Sequence, residues 1–237
     1  MLLYIIRHGK PDYAADALTE EGREQAELVA RRLAAGGIDE IHASPMGRAV
    51  ETAKPTAEKL GLPIQIEPWA YELGPECKTV FPDGKEKTIS SLPPEHLHQA
   101  AFRKFDSEEA IRLIPGIGDT GFAAHWAMLK SGADAMLEKL GYRRNADGTY
   151  DVVSANDRHA ALFCHAGMQR ALLAHVLNIP YQLLAATAMS HYTGVTILEF
   201  YGDGPRTSPQ LLAFGDTGHL YWNRNTPLRH YFHKSPF

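Results

Sequence analysis

The sequence predicts an α/β protein with a mostly parallel central sheet and helices on both faces. Short apolar runs of the kind found in buried strands alternate with longer segments whose apolar residues recur at helical spacing. Strands that alternate with helices along a chain favour a sheet that is covered on both faces. With 237 residues, 44% of them hydrophobic, the chain can bury the core of one large domain.

The elements of the first third follow from their local residues. Leu2–Ile6 is an apolar run too short for a helix, which predicts a buried strand. Glu20–Ala35 carries small and apolar residues on one helical face, and Thr19 precedes it as a side chain suited to the N-cap. A second strand is predicted over Ile38–Ala43. Ser44 is expected to cap the helix that follows, because a serine oxygen accepts N–H groups of the first turn.

Residues 74–118 differ in composition from the rest of the chain. They are rich in proline and polar residues, and a structureless loop of that length is unusual inside a compact domain. We therefore expect one domain over residues 1–237, with 74–118 inserted as a cap that contains a short helix near 94–104. The elements expected after the cap are a helix over 119–140, strands over 150–153 and 160–164, a helix over 167–177, and a final hairpin from 194–201 and 210–214.

Composition and charge argue against several classes of protein. The 24 basic and 28 acidic side chains give a net charge of −4, which is unfavourable for a protein that binds nucleic acid through bulk electrostatics. No apolar run approaches the roughly 20 residues that span a bilayer, so we expect no membrane segment. Two cysteines provide no disulfide framework, which favours a reducing cytoplasm. The sequence has no spacing typical of a metal site, so we expect no metal and no cofactor.

Basic side chains and histidines follow three of the predicted strands. Arg7 and His8 follow the first strand, Arg48 lies in the first turn of the helix after the second, and His165 follows the strand over 160–164. The carboxyl ends of parallel strands meet at one edge of a sheet, where Gly9 would allow a sharp turn and a close approach to a ligand. Two helix N-termini there would offer free N–H groups to a phosphate, and two guanidiniums would add bidentate donors. The sequence therefore predicts an anion site next to a potential histidine nucleophile.

Several segments of the chain form an ordered series of motifs. They are Arg7-His8-Gly9, Leu18-Thr19-Glu20-Glu21-Gly22 with Gln25-Ala26, the run from Ser44 to Ala53, Cys164-His165-Ala166-Gly167, and a closing Gly215-Asp216-Thr217-Gly218-His219-Leu220. This series resembles the motifs of the histidine phosphatase superfamily, the group that includes the cofactor-dependent phosphoglycerate mutases. The resemblance covers nearly the whole chain except residues 74–118.

The resemblance implies a role for each of the clustered side chains. His8 is implied to attack phosphorus and form a phosphohistidine that water then hydrolyses. Arg7, Arg48 and His165 are implied to bind the phosphoryl oxygens and to stabilise the transition-state charge. For this chemistry His8 must be neutral, and the two neighbouring guanidiniums are expected to lower its pKa below the ordinary value of ~6.5.

The resemblance also implies a general acid and a type of reaction. Glu72 occupies the place of the family's acid for the leaving oxygen, and Glu76 is the alternative four residues later. The mutases follow the first motif with a serine/threonine-tryptophan-asparagine pattern, whereas this chain has Lys10-Pro11-Asp12-Tyr13. It also lacks a match to their substrate-gripping arginine segment. These departures favour a metal-independent phosphatase that acts on a small phosphorylated substrate over a phosphoglycerate mutase-type transfer.

Two other functions stay open at this stage. Cys164 and Arg170 fit the C-x5-R pattern of cysteine-dependent phosphatases, although that interpretation leaves the first-strand motif unexplained and such a short pattern arises easily by chance. A non-catalytic protein that binds a phosphorylated ligand is the other alternative, because a sequence cannot show that the acid is in place. The length and the sequence of the chain do not predict its oligomeric state.

Overall fold

Thirteen β-strands and five α-helices form the part of the chain that the structure describes. The computed structural model describes residues 1–74, 77–80, 84–88, 109, 120–201 and 204–222. The strands are β1 (Leu2–Arg7), β2 (Pro11–Asp12), β3 (Ala17–Leu18), β4 (Glu40–Ala43), β5 (Ile64–Ile66), β6 (Lys78–Val80), β7 (Glu86–Thr88), β8 (Tyr142–Arg144), β9 (Tyr150–Val152), β10 (His159–Cys164), β11 (Val195–Glu199), β12 (Arg206–Thr207) and β13 (Gln210–Asp216). The helices are α1 (Glu20–Ala35), α2 (Gly47–Leu60), α3 (Phe122–Lys139), α4 (Ala166–Leu177) and α5 (Tyr181–Thr187).

Six of these strands form the central sheet in the order β13-β11-β1-β10-β4-β5. The pairs β1–β10, β10–β4 and β4–β5 are parallel, and β11 is antiparallel to both β1 and β13. The sheet is therefore mostly parallel, as predicted, and β11 with β13 confirms the final hairpin. Arg7 of β1 lies opposite Cys164 of β10. His8 and His165 consequently follow neighbouring strands at the same edge of the sheet.

Helices cover both faces of the central sheet. Leu3 and Ile5 of β1 pack into one core together with Leu162 of β10 and residues of α3 and α4. Ile6 and Phe163, the next residues along these strands, pack into a second core together with residues of α1 and α2. Successive side chains of a strand point to opposite faces, so two parallel strands supply both cores. This arrangement confirms the predicted layers.

The start of α2 differs from the prediction, whereas the start of α1 confirms it. Thr19 is the N-cap of α1, and its Oγ1 accepts the Gly22 N–H at 3.1 Å. The helix α2 begins at Gly47, its N-cap is Met46, and no side chain caps it. The expectation that Ser44 caps this helix is wrong. Its hydroxyl lies two residues too early for the cap position and contacts a histidine of the site described below.

Most of the predicted cap over 74–118, including the helix expected near 94–104, lies outside the described residues. The described part contains β6 and β7, which pair antiparallel in a two-stranded sheet. The strand predicted over 150–153 is β9, which pairs with β8 and β12 in a separate sheet. Within the ranges given above, no helix combines the length and the apolar character that crossing a membrane requires.

Candidate active site

His8 lies directly after β1, in the interior of the protein. Its side chain is only 2% exposed, and its backbone N–H donates to the Cys164 carbonyl at 2.9 Å. The ring Nδ1 lies 2.7 Å from the Gly9 carbonyl oxygen. Because a carbonyl only accepts, Nδ1 carries the hydrogen and Nε2 carries the lone pair. The backbone thus selects the tautomer in which Nε2 carries the free lone pair.

The surroundings of His8 keep its ring neutral. Burial is the largest cause and the nearby Arg7 guanidinium the next, and together with Arg48 they lower the pKa of His8 from 6.5 to about 3. The hydrogen bond to Gly9 acts in the opposite direction and is outweighed. The sequence-based expectation of a lowered pKa is therefore confirmed. At neutral pH the Nε2 lone pair is available for attack.

Arg7 is the last residue of β1, and its guanidinium is buried beside His8. Nη1 donates to the Ser190 carbonyl at 2.6 Å, and the ring of Tyr192 lies 4.4 Å from the guanidinium carbon. Burial lowers the pKa of Arg7 somewhat below its ordinary value, while the guanidinium stays charged at neutral pH. These contacts hold one end of the guanidinium, and Nε has no hydrogen-bond partner among the described residues.

Arg48 occupies the first turn of α2, where the loop after β2 reaches it. Its Nη1 forms an ion pair with Asp16, and its Nη2 lies 3.3 Å from the Met46 sulfur. The ring of Tyr13 lies 5.5 Å from the guanidinium carbon, although this side chain is 64% exposed. The Arg48 side chain is itself almost fully buried. A loop carboxylate and a helix turn therefore fix its orientation.

His165 follows β10 and completes the cluster. Its ring centroid lies 5.1 Å from that of His8, and its Nε2 lies 2.7 Å from Ser44 Oγ. Ser44 Oγ also accepts the Met46 N–H at 3.3 Å, so its hydroxyl hydrogen is available for donation to Nε2. In that arrangement His165 carries its own hydrogen on Nδ1. Burial, followed by His8 and the two guanidiniums, holds its pKa well below the ordinary value, and the ring is neutral.

Three buried polar atoms of this cluster have no hydrogen-bond partner among the described residues. They are Arg7 Nε, Arg48 Nε and His165 Nδ1. The two arginine Nε atoms are donors, and His165 Nδ1 is a donor in the tautomer described above. A buried donor without a partner costs about 1–3 kcal/mol. A tetrahedral oxyanion supplies several acceptors to such a set of donors at once. The structure brings together the four predicted residues of the anion site in an arrangement suited to a phosphoryl group.

Glu72 lies at the N-terminus of α4, close to this cluster. Its Oε1 accepts the N–H groups of Met168 at 2.9 Å and Leu73 at 3.0 Å, and its Oε2 accepts that of Gly167 at 3.2 Å. Its charge also raises the pKa of Cys164, the residue before His165. The alternative acid, Glu76, lies outside the described residues. Glu72 thus has the location of a group that can exchange a proton near the site.

The protein itself occupies some of the helix N–H groups that were predicted to be free for a phosphate. At α2 the Gly47 N–H donates to Asp16 Oδ2 at 2.7 Å, and at α4 the Gly167 and Met168 N–H groups donate to Glu72. Carboxylates of the protein itself therefore occupy these backbone donors.

The structure adds a packing reason for the glycine at position 9. Its φ is not positive, and a Cβ at this position would lie 2.6 Å from the Gly22 carbonyl oxygen. The Gly9 N–H donates to Thr52 Oγ1 at 3.0 Å. A glycine is required here because the backbone of α1 approaches the loop, and not because the chain adopts a left-handed turn.

The structure argues against the cysteine-dependent alternative. Cys164 is fully buried, and burial together with Glu72 raises the pKa of its thiol far above the ordinary value. Arg170 donates to the backbone carbonyls of Ala166, Ala185 and Ala188. A reactive cysteine needs an exposed thiolate with a lowered pKa, and this thiol has the opposite environment.

Several residues of the site had no signal in the sequence. Asp16 binds Arg48 across 32 residues of chain, and Tyr192 meets Arg7 from a loop far along the sequence. Neither belongs to a local pattern of charge or spacing. Among the residues that the structure describes, no group of three or more histidine, cysteine or carboxylate side chains lies close enough to hold a metal ion.

Curated relatives match part of the chain. The Yersinia enterocolitica protein named Probable phosphoglycerate mutase GpmB is 33% identical over 102 residues, which is 39% of this chain and 45% of that protein. A Yersinia pestis protein of the same name is 34% identical over the same length. The matched part of the chain therefore spans less than half the length of these relatives.

Solved structures share the fold over most of the chain. The mycobacterial glucosyl-3-phosphoglycerate phosphatase complexed with VO3 is 21% identical with a TM-score of 0.62, and the match covers 91% of this chain and 99% of that one. Phosphoserine phosphatase from Entamoeba histolytica in complex with 3-phosphoglyceric acid is 21% identical with a TM-score of 0.59, covering 92% and 98% of the two chains.

A family profile matches the same elements that build the site. The profile of the histidine phosphatase superfamily (branch 1) matches residues 3–74 and 138–210, more than half of the chain. Its first segment includes β1, α1 and α2 with the Arg7-His8-Gly9 motif and Arg48, and its second includes β10 with His165. Together with the shared fold, this match shows that the chain belongs to the histidine phosphatase superfamily (branch 1).

Proposed function

We propose that the protein is a metal-independent phosphatase that hydrolyses a small phosphomonoester through a phosphohistidine on His8. One observation carries the proposal: a neutral histidine with a free Nε2 lies among three unpaired donors from Arg7, Arg48 and His165. The two guanidiniums provide the positive charge that phosphoryl transfer requires. The reaction needs a histidine nucleophile and a set of donors that binds the phosphoryl oxygens. We call the donors of Arg7, Arg48 and His165 the clamp.

The first step transfers the phosphoryl group to the protein. The Nε2 lone pair of His8 attacks phosphorus, the bond to the leaving oxygen breaks, and its electron pair leaves with that oxygen. Arg7, Arg48 and His165 bind the remaining phosphoryl oxygens through their unpaired donors. The Nδ1–H bond to the Gly9 carbonyl stabilises the positive charge that develops on the imidazole ring. The leaving oxygen takes a proton from Glu72.

The second step returns the protein to its starting state. Water attacks phosphorus, the P–N bond breaks, and its electron pair returns to Nε2. Glu72, now a carboxylate, accepts a proton from the attacking water, and inorganic phosphate leaves. In its carboxylate form Glu72 accepts the three backbone N–H groups at the start of α4. These contacts support the carboxylate form of Glu72 that the second step requires.

Rapid-quench labelling tests the proposal directly. With a phosphomonoester labelled in its phosphate, we expect label on His8 that is stable in base and labile in acid. His8→Asn should form no such adduct and should lose turnover. His159→Gln is a matched control, since His159 is partly exposed at the far end of β10. Normal turnover by His8→Asn would refute the proposal, and anion binding without turnover would favour the non-catalytic binder.

Phosphoglycerate mutase activity is the second candidate, because curated relatives carry that name. Both reactions begin with the same phosphohistidine, and they differ in whether water or a second substrate oxygen accepts the phosphoryl group. With 3-phosphoglycerate as substrate, a phosphatase releases inorganic phosphate and a mutase forms the 2-isomer. The sequence Lys10-Pro11-Asp12-Tyr13 after the first motif supports hydrolysis, so we expect phosphate release to predominate.

The substrate is proposed to be a small phosphorylated molecule selected by the cap. The family profile leaves residues 75–137 unmatched, and nearly all of the predicted cap over 74–118 lies in this range, which supports an inserted segment. The names of similar proteins make 3-phosphoglycerate, phosphoserine and glucosyl-3-phosphoglycerate the first compounds to assay. Both cysteines are free and buried, which supports a cytoplasmic location.

A further inference from the structure

Thr193 lies beside the nucleophile in a conformation that β-branched residues rarely adopt. Its φ is +54°, in the left-handed region, and its side chain is fully buried. Its N–H donates to the His8 carbonyl at 3.3 Å, and the Arg7 N–H donates to the Gly194 carbonyl at 3.2 Å. Backbone hydrogen bonds therefore join the strained turn to Arg7 of the clamp and to His8, the proposed nucleophile. Strain of this kind persists only where the surrounding structure enforces it.

A chain of side-chain hydrogen bonds enforces the turn. The Thr193 hydroxyl donates to the Tyr192 carbonyl at 2.8 Å and lies 3.0 Å from His219 Nε2, so Nε2 must be the donor in the second contact. His219 Nδ1 then accepts from Arg32 Nη1, which lies 3.5 Å away. Arg32 is in turn held by Asp216, at 2.7 Å from its Nη2. Every hydrogen bond of the chain therefore has one direction, from Arg32 to the Tyr192 carbonyl.

The protonation state of His219 agrees with this chain. Burial, followed by the charge of Arg32, lowers the pKa of His219 to about 4. The ring is therefore neutral at pH 7, with one donor and one acceptor nitrogen, as the two contacts require. The two side-chain contacts of His219 are with Thr193 and Arg32, and neither of these residues takes part in the proposed reaction.

The turn also places the Tyr192 ring against two residues of the site. The Tyr192 ring lies 4.4 Å from the Arg7 guanidinium carbon, and its centroid is 5.9 Å from that of His8. Tyr192, whose carbonyl accepts the Thr193 hydroxyl, therefore packs against both Arg7 and His8. A small rotation at Thr193 would move this ring and the His8 backbone together.

We propose that Thr193 and His219 are positioning residues that hold the His8 backbone and the Tyr192 ring in the geometry needed for attack on phosphorus. This inference rests on the proposed function for its rate measurements. It predicts that the hydroxyl of Thr193 and the imidazole of His219 act through one shared hydrogen bond. Neither side chain needs to touch the substrate, so their loss should lower kcat much more than it changes KM.

A double-mutant cycle provides the first test. Thr193→Val and His219→Leu should each lower kcat by about tenfold or more, with KM within about twofold, and the double variant should be no slower than the slower single variant. Thr193→Ser and His219→Gln, which restore a hydroxyl and a donor, should recover most of the loss. Thr56→Val is a matched control, because Thr56 is a buried threonine whose hydroxyl has no partner among the described residues. Multiplicative losses, or equal losses in the rescue variants, would overturn the proposal.

Ligand binding provides a test that does not need turnover. Vanadate adopts the trigonal-bipyramidal geometry of the transition state by bonding to the nucleophile, whereas inorganic phosphate needs only the clamp. Thr193→Val should weaken vanadate binding by about tenfold and change phosphate binding by less than about twofold. Equal weakening of both anions would overturn the positioning role. If the wild-type protein shows no turnover, the proposed function fails, and the vanadate-to-phosphate ratio still decides the role of Thr193.

Discussion

Glu72 Oε2 accepts the Gly167 N–H at 3.2 Å, and a Cβ on residue 167 would lie 2.6 Å from Glu72 Oε1. The carboxylate and the glycine therefore fit each other at the N-terminus of α4, two residues after His165. A side chain of any size at position 167 would displace the carboxylate. This relationship gives a way to move Glu72 without altering its chemistry.

We expect Gly167→Ala to lower kcat by about tenfold or more when the leaving group is an alkyl alcohol, because the proposed acid is displaced from the leaving oxygen. The loss should be much smaller with 4-nitrophenyl phosphate, whose leaving group needs no proton. Steady-state rates with the two substrates check this. Glu72→Gln should show the same dependence on the leaving group. Gly204→Ala is the matched control, since a Cβ at that position meets no atom within 4 Å. Equal losses with both substrates would show that Glu72 is not the acid.

Gly9→Ala should destabilise the protein and reduce turnover. The added Cβ would lie 2.6 Å from the Gly22 carbonyl oxygen, so the loop or α1 must move, and overpacking of this kind costs about 1–3 kcal/mol. Urea denaturation should show a lower free energy of unfolding, and kcat should fall because His8 is the preceding residue. Gly36→Ala is the control, since a Cβ there would make only ordinary contacts. An unchanged free energy of unfolding in Gly9→Ala would mean that α1 leaves room for a Cβ at residue 9.

The sequence was sufficient to predict the parts of the site that follow buried strands. Arg7 ends β1, and His8 and His165 directly follow β1 and β10. The apolar runs of these strands are visible locally, and parallel pairing brings their ends together. The fold class could be predicted for the same reason, because both cores are built from alternate residues of these strands. Apolar residues that recur every second residue in strands, or every third or fourth residue in helices, form local patterns that can be recognised in the sequence itself.

The remaining parts of the site depend on contacts that no local pattern encodes. Asp16 reaches Arg48 from the loop between β2 and β3, and Thr193 adopts a positive φ that a threonine does not suggest. Ser44 looked like a helix cap because it precedes a proline and a helical stripe, yet its hydroxyl contacts His165 instead. These outcomes are decided by tertiary packing, which overrides the local preference of each residue.

Ser44→Ala should weaken anion binding by removing the hydrogen bond to His165 Nε2, which in the tautomer described above leaves Nδ1–H for the anion. Loss of a buried hydrogen bond costs about 1 kcal/mol, which corresponds to roughly fivefold in the dissociation constant of inorganic phosphate. Nitrogen NMR of the His165 ring should show a mixture of tautomers in the variant and the Nδ1–H form in the wild type. Ser131→Ala, on the exposed face of α3, is the control. Unchanged phosphate affinity together with unchanged ring shifts would rule out this role for Ser44.

The lowered pKa of His8 predicts how stability depends on pH. In the unfolded chain the histidine binds a proton near pH 6.5, whereas in the folded protein it does so only near pH 3. Between these values the unfolded state binds more protons, so the free energy of unfolding falls as the pH is lowered from about 6.5 towards 3. One such group contributes a slope of up to about 1.4 kcal/mol per pH unit. His165 and His219 act in the same direction.

Urea denaturation of the wild type and of His8→Asn at several pH values, from about 4.5 to about 6.5, isolates the contribution of this one residue, because this range lies just below the ordinary pKa of histidine. The variant should lose stability less steeply with acidification, by up to about 1.4 kcal/mol per pH unit. A constant offset between the two proteins does not affect the comparison, because only the slopes are compared. Parallel curves would mean that folded and unfolded His8 titrate alike, and the buried, neutral nucleophile on which the proposed reaction depends would have to be abandoned.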